Sequence, residues 1–302
     1  MEINNLRGEI KRNEPLSRHT SFGIGGPADM LVYPADRDDL INLFKEVKRQ
    51  GLPYFILGSG TNLLVRDGGF RGVAVGLQRM NGVTIEREYR SIGGAFAVVR
   101  VEAGATLAKL ISFTLDEGLT GMEFAAGIPG TVGGAICMNA GTAAGEIGDV
   151  IQSVTMLSSQ GEIISRGRDE MGFGYRTSSI PDGHCIIEAS IVLRRDDKGK
   201  IQARVKELLD KRNRRQPLGL PNAGSIFKNP YEESAGRLIE SARLKGKAIG
   251  GAQVSEKHAN FVVNRGNATA ADVLALMDLV TKTVLEVCGI RLEPEIKIIG
   301  EG

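Results

Sequence analysis

Residues 38–50 carry apolar side chains at Leu40, Ile41, Leu43, Phe44 and Val47. That spacing lines one face of a helix, and Gly51 marks its end. After Pro53 the run Tyr54, Phe55, Ile56 and Leu57 is short and wholly apolar, which predicts a buried strand. A glycine-rich loop follows at once, so the stretch reads helix, strand, loop, an α/β succession. Residues 73–103 alternate in polarity and turn at Asn81-Gly82 and Gly93-Gly94, which predicts strands. A helix is predicted over 106–117, closed by Gly118, and strands over 150–157, 162–165 and 185–193 around a Gln160-Gly161 turn. The polar break at 194–199 is the expected domain boundary. Beyond it the pattern predicts a helix over 201–213, a loop over 216–224 and a helix near 233–243. Residues 270–288 form a long amphipathic pattern through Val273, Leu274, Leu276, Met277, Val280, Val284 and Val287. The chain closes on a predicted strand over 295–299, and no repeat or low-complexity tract interrupts it.

Composition narrows the class. The 302 residues can bury a sizeable core in two or three domains, and 42% hydrophobic with 25% charged residues is a globular balance. A net charge of +2 provides no global field for nucleic acid or a membrane. The local cluster Lys211-Arg212-Asn213-Arg214-Arg215 reads either as a solvated helix end or as a clamp for phosphates. Cys137, Cys185 and Cys288 are odd in number and far apart, as reduced thiols are. His19, His184 and His258 lack metal-ligand spacing, so no metal site is expected. Residues 1–5 show no apolar signal segment and no run reaches transmembrane length, so a cytoplasmic location is expected.

Two glycine-rich loops carry the candidate chemistry. The first is Gly58, Ser59, Gly60, Thr61 and Asn62; the second is Gly127, Ile128, Pro129, Gly130, Thr131, Val132, Gly133 and Gly134. Glycines let the backbone approach a ligand and turn its amides inward, a concavity that suits a phosphate. Two such loops suggest a large ligand held from two sides, a dinucleotide cofactor foremost; the plainer alternative is a pair of tight turns. Leu63 stands where a Rossmann fingerprint needs its third glycine. Residues 219–225 have Walker glycine spacing, but Ser225 follows Gly224 where that motif needs lysine.

Six segments, in order and across essentially the whole chain, carry a resemblance. They are 13–27 (Asn-Glu-Pro-Leu-Ser-Arg-His-Thr-Ser-Phe-Gly-Ile-Gly-Gly-Pro), 58–67, 127–141, Gly174-Tyr175-Arg176, 222–230 (Asn-Ala-Gly-Ser-Ile-Phe-Lys-Asn-Pro) and Leu292-Glu293-Pro294-Glu295. The sequence resembles the UDP-N-acetylenolpyruvoylglucosamine reductase family in its shorter, second type. The resemblance implies an α+β fold: a vanillyl-alcohol-oxidase-type FAD-binding region over 1–195, in two subdomains of about 1–75 and 76–195, and an α+β substrate-binding domain over 196–302. It implies FAD between the two glycine loops, non-covalent because neither loop holds a histidine. The expected cofactor-binding residues are Gly58, Ser59, Gly60, Thr61, Asn62, Leu63, Gly127, Ile128, Pro129, Gly130, Thr131, Gly133, Gly134, Asn139 and Gly141.

The implied reaction reduces the enolpyruvyl ether of UDP-N-acetylglucosamine to UDP-N-acetylmuramate with NADPH as co-substrate, a step of peptidoglycan precursor synthesis. Ser225 matches the family's proton donor, Arg176 the arginine facing the substrate carboxylate, and Glu295 the glutamate completing the enolate site. Read alone, Ser225 is a turn or capping serine, and Arg176 one of many surface arginines. Period-two alternation sets Glu295 with Lys297 and opposite Ile296 and Ile298, which fits either an exposed charge or a site residue. Substrate contacts are expected from Tyr175, Arg214, Arg215 and Asn229, and Cys137 reads as a buried filler. The chain is expected to act as a monomer without nucleic-acid or membrane partners. The alternatives are a flavin oxidase of the same superfamily and a non-enzymatic nucleotide-sugar or flavin-binding regulator.

Overall fold

The computed structural model describes residue 3 and residues 6–302. Met1, Glu2, Asn4 and Asn5, on which the reading of 1–5 rests, lie outside the described residues. The chain begins β1 (Glu9–Pro15), β2 (Pro27–Tyr33), α1 (Arg37–Arg49), β3 (Tyr54–Leu57), β4 (Leu63–Val65) and β5 (Phe70–Gly76). It continues through β6 (Val83–Ser91), β7 (Gly94–Glu102), α2 (Leu107–Glu117), β8 (Leu119–Thr120), α3 (Val132–Cys137), β9 (Gly141–Thr142) and β10 (Gly145–Glu146). Then come β11 (Ile151–Leu157), β12 (Ile163–Gly167), β13 (Cys185–Arg195), α4 (Lys198–Arg215) and β14 (Asn222–Ser225). The last are α5 (Ala235–Ser241), β15 (Ala248–Ile249), β16 (Ala252–Val254), β17 (Phe261–Asn264), α6 (Ala270–Cys288) and β18 (Lys297–Ile299).

Local chemistry accounts for the helix boundaries. The Asp36 side chain accepts from the Asp39 amide at the start of α1. The Thr106 hydroxyl caps α2, and Gly118 ends it in the left-handed conformation at φ +63°. At α6, Thr269 and Asp272 form a capping box and Gly289 closes the far end at φ +70°. Among the described residues no helix is long and apolar enough to cross a membrane.

The chain divides into two compact units by contact. One holds the chain up to Lys11 with Leu31–Ser59 and Val73–Arg212; the other holds Arg12–Met30, Gly60–Gly72 and Asn213–Gly302. In the first unit an antiparallel sheet runs in the order β12-β11-β13-β7-β6, with β8 paired to β13. Helix α2 turns Leu107, Leu110 and Ile111 into that unit's core, where Val98, Val99 and Val101 of β7 are also buried. Strands β3 and β5 pair in parallel from Tyr54 with Val73 to Leu57 with Gly76. The second unit has the antiparallel order β14-β17-β16-β15 and a parallel pair of β18 with β4. Its core gathers Phe22, Ile24, Leu64, Ile226, Phe227 and the buried face of α6.

Three details of the pattern reading change. Glu295 precedes β18 and lies outside the strand, so its direction is not set by strand alternation. Proline at 294 cannot donate to a ladder, and the Glu295 amide is spent on Ile226, which delays pairing until Lys297. Val287 is 60% exposed and lies off the buried stripe of α6. The helix predicted near 233–243 is only the seven residues of α5, capped by the Ser234 hydroxyl.

Candidate active site

Loop geometry comes first. In the first unit Gly58 lies against the second glycine loop: a Cβ there would sit 2.8 Å from Thr131 Oγ1. The second loop is stitched to the chain between β7 and α2. The Leu107 amide donates to the Gly130 carbonyl at 3.0 Å, Val132 to Ala105 at 2.8 Å and Gly133 to Ala103 at 2.9 Å. Gly127 at φ +73° and Gly130 at φ +137° take conformations that cost an L side chain energy. The Thr131 hydroxyl caps α3 by accepting from the Gly134 amide at 3.3 Å. In the second unit Gly60, at φ +62°, packs so tightly that a Cβ would overlap the His19 carbonyl oxygen. These glycines are therefore demanded by backbone packing as well as by any ligand.

Arg176 stands on a two-residue turn. Gly174 and Thr177 exchange amide–carbonyl bonds of 3.1 and 3.2 Å across it. Its φ is +56°, a left-handed conformation that costs a residue with a Cβ about 1–2 kcal/mol relative to the right-handed one. The guanidinium donates from Nη2 to the Gly141 carbonyl at 3.2 Å and lies 5.2 Å from the centroid of the Tyr175 ring.

Asn139 holds this turn from below. Fully buried at φ +42°, it donates from Nδ2 to Glu146 Oε1 at 2.7 Å and to the Gly174 carbonyl at 3.0 Å. Its Oδ1 accepts from the Gly148 amide at 3.0 Å. Both amide hydrogens are consumed inside the protein, so the structure gives Asn139 a bracing part beneath Arg176.

Ser225 ends β14, opposite Phe261 of β17, after an irregularity in the ladder. Gly224 before it has φ +77°, and a Cβ there would meet nothing within 4 Å, so the backbone beside Ser225 opens onto free space. The Ser225 side chain is half-buried, and among the described residues its hydroxyl has no hydrogen-bond partner. Just beyond, the Glu295 amide donates to the Ile226 carbonyl at 2.7 Å, and Lys228 donates to the Glu293 carbonyl at 2.9 Å. Asn62 of the first glycine loop clasps the same segment: its Nδ2 donates to the Glu295 carbonyl at 3.2 Å, and its own carbonyl accepts from the Lys297 amide at 3.0 Å. The second unit thus brings together Asn62, Ser225 and Glu295, which are far apart in sequence.

The remaining sequence-predicted residues are more peripheral. Asn229 Oδ1 accepts from the Ala235 amide at 3.0 Å, at the start of α5. Tyr175 is 51% exposed, and Arg214 and Arg215 are exposed at the end of α4. Pattern reading missed the part played by 19–21. The Ser21 amide donates to the Gly60 carbonyl at 3.1 Å, and its hydroxyl to the Asn222 carbonyl at 2.7 Å. That tie joins the first glycine loop to the strand bearing Ser225, and the signal was the motif 13–27, to which no role had been given. It also missed Gln78, whose Nε2 donates to the Gly58 carbonyl at 3.0 Å.

Two buried side-chain polar atoms among the described residues lack a hydrogen-bond partner, Gln78 Oε1 and Arg212 Nε. Both side chains touch glycine loops, Gln78 the first and Arg212 the second. Polar atoms left unsatisfied beside glycine loops fit a polar, phosphate-bearing ligand such as a flavin dinucleotide. The fold and these loops define an FAD-binding flavoprotein, and an FAD binding domain model matches residues 28–167. A second model, UDP-N-acetylenolpyruvoylglucosamine reductase, C-terminal domain, matches residues 216–299.

Relatives carrying that reductase name include proteins of Geobacter metallireducens, 46% identical over 98% of this chain and 96% of the relative, and of Caldanaerobacter subterraneus, 47% identical over 97% and 95%. The crystal structure of UDP-N-acetylenolpyruvylglucosamine reductase from Thermus caldophilus superposes with a TM-score of 0.81 at 34% identity, covering 97% of this chain and 99% of that one. The chain belongs to the UDP-N-acetylenolpyruvoylglucosamine reductase family. It is an oxidoreductase with FAD as its cofactor, and its fold is α+β of the vanillyl-alcohol-oxidase FAD-binding type.

Proposed function

We propose that this protein reduces UDP-N-acetylglucosamine enolpyruvate to UDP-N-acetylmuramate, with NADPH as the reductant. The observation that carries the reading is the half-buried Ser225 hydroxyl, without a hydrogen-bond partner among the described residues, on open backbone beside a Glu295 segment fixed by the 2.7 Å bond to Ile226. Bound FAD would supply the chemistry the side chains lack, hydride transfer between NADPH and the vinyl carbon of the substrate. The protein's own task is the charge and the proton. Arg176 presents a fixed planar cation to the substrate carboxylate, across which the enolate charge spreads. Ser225 Oγ–H donates the proton to the carbanionic carbon; a serine hydroxyl is a weak acid, and the basicity of that carbon makes the transfer feasible in a preorganised site. Glu295 completes the enolate site and returns a proton to the serine oxygen.

Residues 1–195 supply the larger part of the flavin site and 196–302 the larger part of the sugar-nucleotide site. The FAD is held non-covalently by the glycine loops. Tyr175, Arg214, Arg215 and Asn229 contact the sugar nucleotide. The protein works as a cytoplasmic monomer in peptidoglycan precursor synthesis.

The test is Ser225→Ala under anaerobic conditions. NADPH should still bleach the flavin band, while addition of the enolpyruvyl sugar no longer restores it and no product forms. If the variant instead loses FAD, or turns over at the wild-type rate, Ser225 is a structural residue and the reading fails.

A further inference from the structure

Helix α4 ends against the second glycine loop. A Cβ on Gly127 would lie 2.9 Å from Arg212 Cδ and 2.9 Å from Leu209 Cδ2, so the stem of Arg212 rests on the residue that opens the loop. Two other cations of this helix are paired with carboxylates. Arg204 donates to Glu123 Oε1 at 3.1 Å and to Asp196 Oδ2 at 2.8 Å, and Lys211 to Glu207 Oε1 at 2.7 Å. Arg212 differs: its Nε is buried, and among the described residues it has no acceptor. Burial pulls its pKa below the usual arginine value, yet a guanidinium remains protonated in proteins, so the molecule keeps an uncompensated, partly desolvated cation beside the loop. Arg214 and Arg215 are exposed and carry no such penalty. The two matched family models stop at 167 and resume at 216, so neither covers Arg212.

We propose that Arg212 holds an anionic group of the bound FAD, at the mouth of the loop opened by Gly127. This rests on the flavin reading of that loop. Two parts of the cofactor offer the required delocalised anion: the diphosphate, and the N1–C2 carbonyl edge of the reduced isoalloxazine. Arginine suits either, because its planar fork meets two oxygens, or an oxygen and a nitrogen, at once.

The experiment compares wild type, Arg212→Met and Arg212→Lys in three measurements: dissociation constants for oxidised FAD and for riboflavin, the flavin midpoint potential, and melting of the apoprotein. Methionine retains an unbranched stem against Gly127, so the apoprotein should melt no lower than wild type, having lost a buried unpaired charge. A contact to the diphosphate predicts that Arg212→Met weakens FAD about tenfold to a hundredfold, leaves riboflavin binding and the potential unchanged, and is partly rescued by lysine. A contact to the isoalloxazine edge predicts a more negative potential with little change in affinity for the oxidised flavin. Either result supports the proposal. Unchanged affinity together with unchanged potential overturns it, even if turnover falls or the apoprotein melts lower, because Arg212 would then serve the sugar nucleotide or the packing of α4. Failure of wild type itself to take up FAD would refute the flavin reading, a separate outcome.

Discussion

Removing the Asn139 side chain tests the site's foundation. Asn139→Ala deletes two donated bonds and one accepted bond from a fully buried position. The Gly148 amide is also buried and is left without its acceptor, and the Gly174 carbonyl loses a donor. A buried group stripped of its partner costs about 1–3 kcal/mol, and the bond to the Glu146 carboxylate adds about 1 kcal/mol more after screening at its half-exposed end. The sum is about 2–4 kcal/mol, which lowers the melting temperature of a domain of this size by roughly 4–16 °C. The assay is thermal unfolding of the apoprotein, followed by circular dichroism with FAD absent. Were Asn139 chiefly a flavin ligand, the apoprotein would melt as wild type and only the FAD-dependent increment would shrink. An apo melting temperature within about 2 °C of wild type, a shift of order 1 kcal/mol or less, would refute the argument from buried hydrogen bonds.

Three further perturbations separate stability from function. Arg176→Asn exchanges a strained residue for one that tolerates the left-handed conformation, so the apoprotein should melt within about 2 °C of wild type. Turnover should meanwhile fall by about a hundredfold or more in a steady-state assay, as loss of a positioned charge contact does; a large fall in melting temperature would mark Arg176 as a structural residue. Asp67→Ala removes the carboxylate that accepts from the Ala270 amide at 2.8 Å and the Ala271 amide at 2.9 Å at the start of α6. The expected cost is about 1–2 kcal/mol, read as a lower denaturant midpoint at unchanged slope, and an unchanged midpoint would refute the cap. His258 has its pKa depressed by burial first, with Lys245 and Arg215 adding like charge. The unfolded chain therefore takes up a proton near pH 6.5 that the folded chain refuses, so this contribution to stability is intact above about 6.5 and is lost as pH falls below it. Melting curves between pH 7.5 and 5.5 should show a smaller decline in His258→Gln, and an unaltered decline would assign the pH dependence to other groups.

Much of this protein is legible in the sequence because its signals are local. Helices α1, α2 and α6 follow from apolar spacing with a capping residue at one end and glycine at the other, since hydrogen bonds four residues apart and caps within one turn involve only neighbours in sequence. Strands β3, β6, β7, β11 and β13 announce themselves by period and turn residues. The ordered motifs with Arg176, Ser225 and Glu295 also specified the family. Tertiary structure decided the rest, and long-range packing is the reason. Asn139 sits inside a glycine-loop motif, and only the fold shows its three bonds to Glu146, Gly174 and Gly148. Gly60 is a glycine because the His19 backbone presses on it, and Gly127 because Leu209 and Arg212 of α4 do. Glu295 falls outside its expected strand because its amide is bound to Ile226, 69 positions earlier. That Arg212 is desolvated and unpaired while Arg214 and Arg215 are exposed is invisible in a run of basic residues. Sequence determines which groups the chain possesses; only the folded backbone decides which of them lose water, which find partners, and which remain free to act.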